Sequence, residues 1–335
     1  MTSRAKITGT GMRVPDRVVT NDDLSKLMDT SDEWIRQRSG IAERRYVADG
    51  QTPADLAQAA SERALEAAGL EASEIDCIIL ATLSPQADFP GTSFFLQDRL
   101  GLSETPCFDL RAQCSGFVYS LACANGFIRS QMFRRVLVVG CEVHSTGLDH
   151  SDDGRDVSVL FGDGAGALVL EANEDAGDPA GLIEVRLHAQ GAHAEKLWCE
   201  APGSGIWPDR ITQDLMNEKR HFAKMHGRFV FKHAVTRMPE VLLATLDAAS
   251  LKLDDVDLFL FHQANLRINE YVAKELDIPE EKRINNIDRY GNCSAASLPM
   301  LLDEAIRSGR LAPGQIFSMT TFGSGFSWTS AVARL

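Results

Sequence analysis

Three side chains suited to the chemistry of a thiolate enzyme stand far apart in the chain. Cys114 lies in Cys107-Phe-Asp-Leu-Arg-Ala-Gln-Cys114-Ser-Gly, where a buried strand is expected to hand over to a helix. His262 follows an apolar run in Phe261-His-Gln-Ala-Asn-Leu-Arg267, and Asn292 lies in Asp288-Arg-Tyr-Gly-Asn292-Cys-Ser. A thiol at a helix N-terminus meets the positive end of the peptide dipoles and free N–H groups, which favour thiolate. A Cys, a His and an Asn at the ends of elements form a candidate catalytic set. Each taken alone is also an ordinary buried Cys, core His or turn Asn.

An internal duplication supplies the elements that must position these residues. Leu65 to Ala81 aligns without gaps on Leu246 to His262, each reading as helix end, turn, acidic residue (Asp76, Asp257) and buried strand. The same comparison sets Phe108-Asp-Leu-Arg-Ala-Gln-Cys114 against Ile287-Asp-Arg-Tyr-Gly-Asn-Cys293, and Val136-Leu-Val-Val-Gly against Ile316-Phe-Ser-Met-Thr. One unit has been copied once. Short apolar runs alternate with helical patterns, which predicts α/β layers with buried strands. The expected halves are residues 1–173, carrying the nucleophile, and 174–335, carrying the His/Asn pair. By this symmetry Cys293 is a second candidate nucleophile. The long apolar helix Phe117 to Ile128 favours Cys114, whereas Pro299 interrupts the segment after Cys293. Thr30-Ser-Asp-Glu33 reads as a capping box for a helix through Trp34 to Arg38.

With 44% hydrophobic and 24% charged residues, the 335-residue chain has a globular composition. Its net charge of −13 disfavours nucleic-acid and anionic-membrane partners. No apolar run approaches the roughly 20 residues of a membrane span, and the start lacks a signal-peptide core. The seven cysteines show no zinc spacing. A reduced, cytoplasmic protein without a metal site is expected. Phe161-Gly-Asp-Gly-Ala-Gly-Ala lacks the Lys-Ser/Thr of a phosphate loop and reads as a tight hairpin leading into a strand. Arg220, Lys224, Arg228 and Lys232 recur every fourth residue and would share one face of a continuous helix, although Gly227 weakens that continuity.

In combination, Cys114-Ser-Gly, His262-Gln-Ala-Asn-Leu-Arg, Gly291-Asn292-x-Ser-Ala-Ala-Ser, Phe161-Gly-Asp-Gly-Ala-Gly-Ala and Phe322-Gly-x-Gly-Phe resemble the β-ketoacyl-acyl-carrier-protein synthase III family of the thiolase superfamily, along nearly the whole chain. The resemblance implies a duplicated αβαβα fold with two five-stranded mixed sheets. It also implies a decarboxylative Claisen condensation of an acyl-CoA primer with malonyl-acyl carrier protein or malonyl-CoA, without metal, nicotinamide or flavin. In that family Cys114 would carry the acyl group, and His262 and Asn292 would donate to the enolate oxygen. The N–H groups of Cys114 and of a residue around Ser324 would hold the acyl-transfer oxyanion. Trp34 and Arg155 resemble residues that sandwich the adenine of CoA, and Arg38 a contact to its phosphates. Asn265 resembles a residue that orders water beside His262; Phe161 and Phe322 would line the approach. Phe89 resembles a residue that closes the pocket of a second copy, which implies a homodimer. Arg267, Lys274, Lys232, Arg228 and Lys224 would dock the acidic carrier protein. Glu275 departs from the second Lys common there.

Three further departures bear on substrate: Arg111-Ala-Gln113 before the nucleophile, Ser324 within a Gly-Gly-Gly run, and a long stretch between Gly191 and Lys232 with Trp198 and Trp207. They resemble specialised relatives such as the alkylquinolone-pathway condensing enzyme. Two other readings compete: a cysteine-dependent acyltransferase serving a non-malonyl acceptor, and a non-catalytic partner subunit, which the presence of Cys114 opposes.

Overall fold

The computed structural model describes residues 4–175 and 177–335. A first sheet holds β1 (Arg4–Arg13), β2 (Cys77–Ala81), β3 (Cys107–Leu110), β4 (Arg135–Glu142) and β5 (Gly164–Asn173), in the order β1-β5-β4-β2-β3. Its β3-β2-β4 pairs are parallel, and β5 runs antiparallel to both β4 and β1. A second sheet holds β6 (Gly181–Ala189), β7 (Leu258–Phe261), β8 (Ile316–Gly323) and β9 (Ser327–Arg334), in the order β7-β8-β9-β6.

The layering follows from strands that are apolar on both faces. Val136 and Val138 of β4 point to a central core with α3 (Gly116–Arg129), α6 (Ser297–Arg307) and Phe317 and Met319 of the other sheet. The alternate residues Leu137 and Val139 face α2 (Pro53–Ala68) on the outside. Phe259 and Phe261 of β7 face outward, onto α4 (Gly227–Ala248) and α5 (Leu266–Glu275). The order is helix, sheet, helix pair, sheet, helix. Leu121, Leu301 and Phe317 are wholly buried in the middle layer, each worth roughly 1.5–3 kcal/mol on transfer from water.

The duplication is physical. Asp76 accepts from the N–H of Arg135 and Asp257 from that of Ile316, each at 2.8 Å, so each half starts its neighbouring strand on the same aspartate. Helix ends match too: Gly69 (φ 68°) and Ser250 (φ 57°) take the same left-handed position after α2 and α4. Arg135, not Val136, is thus the counterpart of Ile316.

The expected second five-stranded sheet has four strands. Where β3 would recur, a single bridge joins Phe259 to Arg283. The backbone N–H groups of Asn286 and Ile287 donate instead to Oε1 of the buried Gln263. Three extra residues also separate Arg283 from Cys293, compared with Cys107 to Cys114, and the chain coils into a helical turn, Ile287–Tyr290. Pro299 does not interrupt its segment, because it falls in the first turn of α6, where a missing N–H is tolerated. Among the described residues no helix is long and apolar enough to cross a membrane.

Candidate active site

Cys114 sits in a 3-10 turn, Gln113–Ser115, between β3 and α3. Gln113 adopts φ 46°, a strained conformation for a non-glycine residue, and this makes the strand-to-helix turn sharp. From the other half, β8 ends against the same turn. A Cβ on Gly323 would lie 2.9 Å from Cys114 Cβ, so only glycine permits the approach. Thr321 Oγ1 donates to the Cys114 carbonyl at 3.2 Å, fastening the two halves there.

His262 follows β7, and its own N–H donates to the Thr320 carbonyl. It is 2% exposed, and its Nδ1 lies 2.6 Å from Ser297 Oγ at the start of α6. Among the described residues no group bonds its Nε2. Burial pulls the imidazole down to about 3, so the ring is neutral at pH 7. Asn292 is placed by a bridge to Phe161 and by its N–H, which donates to the Leu160 carbonyl at 2.8 Å. Gly291 (φ 65°) makes that approach possible, since a Cβ there would lie 2.8 Å from Leu160 O. The Ser294 N–H donates to Asn292 Oδ1 at 2.8 Å, which turns the Nδ2 end toward the cavity.

Cys114, His262 and Asn292 line one cavity of about 640 Å³. Cys114 Sγ accepts from Ser294 Oγ at 3.4 Å, and the N–H groups of Cys114 and Ser324 also face it. Burial nevertheless pushes the thiol up to about 11, and the Glu142 carboxylate adds to this against the pull of those donors. The thiolate expected of a helix N-terminus is therefore a neutral thiol at rest. Cys293, the other candidate, lies outside this cavity. It is 1% exposed, packs on Ala296 and Met300 outside the cavity lining, and directs its thiol at the Tyr290 carbonyl.

At the cavity mouth two guanidinium groups lie over the Trp34 ring, Arg38 at 4.5 Å and Arg155 at 4.7 Å from its centroid. Its helix, α1 (Asp32–Ser39), is capped by Ser31, one residue later than the capping box read from Thr30, with the Ser31 hydroxyl accepting from Trp34 N. Phe161 and Phe322 line the cavity as expected. Phe161 leads into β5 from its bridge with Asn292 rather than from a hairpin. Asn265 also lines the cavity, but its amide is committed to structure: Oδ1 caps α5 at Arg267 N, and Nδ2 donates to the Arg38 carbonyl. Its main tie is to the mouth helix. Phe89 lies outside the cavity lining and is 81% exposed in the single chain.

The basic stretch is not one helical face. α4 begins only at Gly227; Lys224 lies in a short strand, and Arg220 is neutralised by Glu200 and Glu218. Arg228 and Lys232 on α4 and Arg267 and Lys274 on α5 are exposed, and none makes an ion pair among the described residues. A larger hollow of about 940 Å³, lined by Arg13, Arg289 and Arg307, lies elsewhere. Those three guanidiniums are spent on Asp16, Glu304 and Asp303, and the lining, which also includes Arg45 and Arg63, holds no Cys or His.

Reading the sequence missed Ser294, Ser297 and Glu142. The two serines stand in the quoted Asn292-Cys-Ser-Ala-Ala-Ser string, next to a residue already singled out. Glu142 was detectable as a lone charge ending the apolar run Val136 to Cys141. It is wholly buried and accepts from Thr82 Oγ1, Leu83 N, Ser84 N, Ser84 Oγ and Ala295 N.

Two family models match. The one described as 3-oxoacyl-[acyl-carrier-protein (ACP)] synthase III covers residues 108–191, and the one for its C-terminal part covers 246–335. A β-ketoacyl-[acyl-carrier-protein] synthase III of Xanthomonas campestris pv. campestris is 47% identical over 332 residues, 98% of each chain. The crystal structure of 3-oxoacyl-[acyl-carrier-protein] synthase III from Aquifex aeolicus superposes with a TM-score of 0.90 at 41% identity, covering 99% of this chain and 100% of that one. The priming β-ketosynthase of the R1128 polyketide pathway superposes equally well, TM-score 0.90, at 31% identity, covering 100% and 98%. With matches of this extent, and with cysteine, histidine and asparagine gathered in one cavity, the chain belongs to the β-ketoacyl-acyl-carrier-protein synthase III family.

Proposed function

We propose that the chain condenses an acyl-CoA primer with malonyl-acyl carrier protein through an acyl-Cys114 intermediate, in fatty acid or related biosynthesis. The observation that carries this reading is the cavity lined by the thiol, the unpartnered Nε2 of neutral His262 and the amide of Asn292.

In the first half-reaction Cys114 Sγ bonds to the thioester carbonyl carbon while the N–H groups of Cys114 and Ser324 hold its oxygen. The carbon–sulfur bond to CoA then breaks, and the thiol proton of Cys114 ends on the CoA sulfur. In the second, the malonyl carboxylate leaves as carbon dioxide, and its bonding pair moves into an enolate on the thioester oxygen. Asn292 Nδ2 donates to that oxygen. So does His262 Nε2, once the Ser297 hydroxyl donates to Nδ1 and leaves the proton on Nε2. Each donor contributes on the order of 2–4 kcal/mol. The enolate carbon bonds to the acyl carbonyl, and the carbon–sulfur bond to Cys114 breaks. The thiolate regains a proton from solvent. Every group required comes from the chain and the two thioesters, without metal or redox cofactor.

Trp34 with Arg38 and Arg155 offers a π-face and two cations to an adenine and its phosphates. Arg228 and Arg267 in the cavity lining, with Lys232 and Lys274 on the same two helices, suit an acidic carrier protein. A second copy would cover exposed Phe89 and pair with the open edge of β3. The intact His/Asn pair favours condensation over transfer to a non-malonyl acceptor.

The test loads the protein with acyl-CoA, adds malonyl carrier protein and measures carbon dioxide. His262→Ala and Asn292→Ala are expected to keep the acyl adduct and lose decarboxylation by about 10²–10³-fold. Acyl transfer to an amine or alcohol with no carbon dioxide released would refute the reading.

A further inference from the structure

Ser324 departs from the glycine run at the turn between β8 and β9, and its two ends serve two different parts of the cavity. Its N–H faces Cys114 Sγ. Its hydroxyl donates to the carbonyl of Leu197. Leu197–Trp198 and Lys224–Met225 form a two-stranded ribbon, with Leu197 opposite Met225 and Trp198 opposite Lys224. Leu197 and Met225 both line the cavity that holds Cys114. The ribbon enters where Gln190 and Phe326 exchange backbone hydrogen bonds of 2.7 and 2.9 Å. It leaves where His226 N donates to Lys196 O at 2.9 Å, one residue before α4. Between these anchors, the Ser324 hydroxyl bonds the ribbon to the turn between β8 and β9, whose Gly323 abuts Cys114.

We propose that Ser324 is a specificity-determining positioning residue for linear acyl thioesters. Its hydroxyl holds the Leu197/Met225 wall at a fixed distance from the N–H that receives the acyl oxygen. An acyl chain that presses on the wall shifts the turn, and the oxyanion donor moves off its ideal position. A chain that fits leaves the donor in place. Misplacement of this kind costs rate steeply, so chain length is read as a rate of Cys114 acylation. Glycine at 324 would keep the N–H but uncouple it from the wall. This inference rests on the reading that Cys114 accepts acyl groups from CoA thioesters.

The experiment measures initial rates of Cys114 acylation by intact-mass spectrometry, with acetyl- through decanoyl-CoA, for the wild type, Ser324→Gly, Ser324→Ala and Ser324→Thr. The Gly and Ala variants are expected to flatten the profile, shrinking the ratio of best to worst chain length at least fivefold. The Thr variant, which keeps the hydroxyl, is expected to restore it. Met225→Ala should flatten the profile as well, and combined with Ser324→Ala it should add nothing further, because both act through the ribbon. An unchanged profile, a uniform loss at every chain length, or additive effects in the double variant would overturn the inference. Absence of any wild-type adduct would overturn the acyl-CoA reading first.

Discussion

Nδ1 of His262 lies 2.6 Å from Oγ of Ser297, and this contact decides which ring nitrogen can present a proton to the cavity. Both residues are buried, and the ring is neutral. A hydroxyl that donates to Nδ1 fixes the Nε2–H tautomer, the only neutral form that can donate to an enolate oxygen. Ser297→Ala is expected to lower decarboxylation on the order of 10–100-fold, by comparison with a lost oxyanion donor. Acyl-Cys114 should still form, and Ser297→Thr should recover most of the rate. Parallel losses in acylation and decarboxylation would instead assign Ser297 a purely structural part.

The neutral state of His262 has a stability consequence. Burial holds the ring down to about 3, against about 6.5 in the unfolded chain. Between these limits the unfolded chain binds a proton that the native chain refuses. The stability from neutral His262 is therefore complete above pH 6.5 and declines as pH falls toward 3, by about 1.4 kcal/mol per pH unit. Urea melts at pH 7 and pH 5 should show the wild type losing about 2 kcal/mol more than His262→Gln. His144, also held down to about 3, is common to both proteins and cancels. Equal losses would mean that native His262 takes up the proton.

Glu142 joins the Thr82–Ser84 segment to Ala295 N, next to the Ser294 that bonds Cys114, and burial pushes its carboxyl up to about 7. Its charge is one of the causes that raise Cys114. Glu142→Gln should therefore shift the pH midpoint of Cys114 alkylation by iodoacetamide downward. It should also cost roughly 1–3 kcal/mol of stability, because an amide NH2 would face donors. A midpoint that stays or rises would remove Glu142 from the electrostatics of the thiol.

Lys232 and Lys274 are exposed on α4 and α5, the helices that carry the cavity-lining Arg228 and Arg267. Reversing both to Glu should raise the KM for malonyl carrier protein about tenfold at low salt, with the gap narrowing as salt rises. A KM that does not respond would place the dock elsewhere.

What was legible in the sequence is what repeats or alternates. Asp76 and Asp257 gave away the duplication because each must catch the first N–H of a neighbouring strand. Cys114 stood out because the apolar helix read as Phe117 to Ile128 follows it, within the observed Gly116–Arg129. The four-stranded second sheet was not legible, because the Gln263 side chain, a long-range partner, takes the N–H groups of Asn286 and Ile287. The break in the basic face was legible only as Gly227, where α4 begins; the pairing of Arg220 with Glu200 across 20 residues was not. Ser297 and Glu142 act by contacts 35 and more than 50 residues distant, which no local period encodes.

The central claim is that Cys114, and not its symmetry mate Cys293, carries the acyl group. Intact-mass spectrometry of the wild type, Cys114→Ala and Cys293→Ala, after incubation with acyl-CoAs from acetyl to decanoyl, tests it directly. One acyl adduct is expected in the wild type and in Cys293→Ala, and none in Cys114→Ala. An adduct that persists in Cys114→Ala and disappears in Cys293→Ala would contradict it.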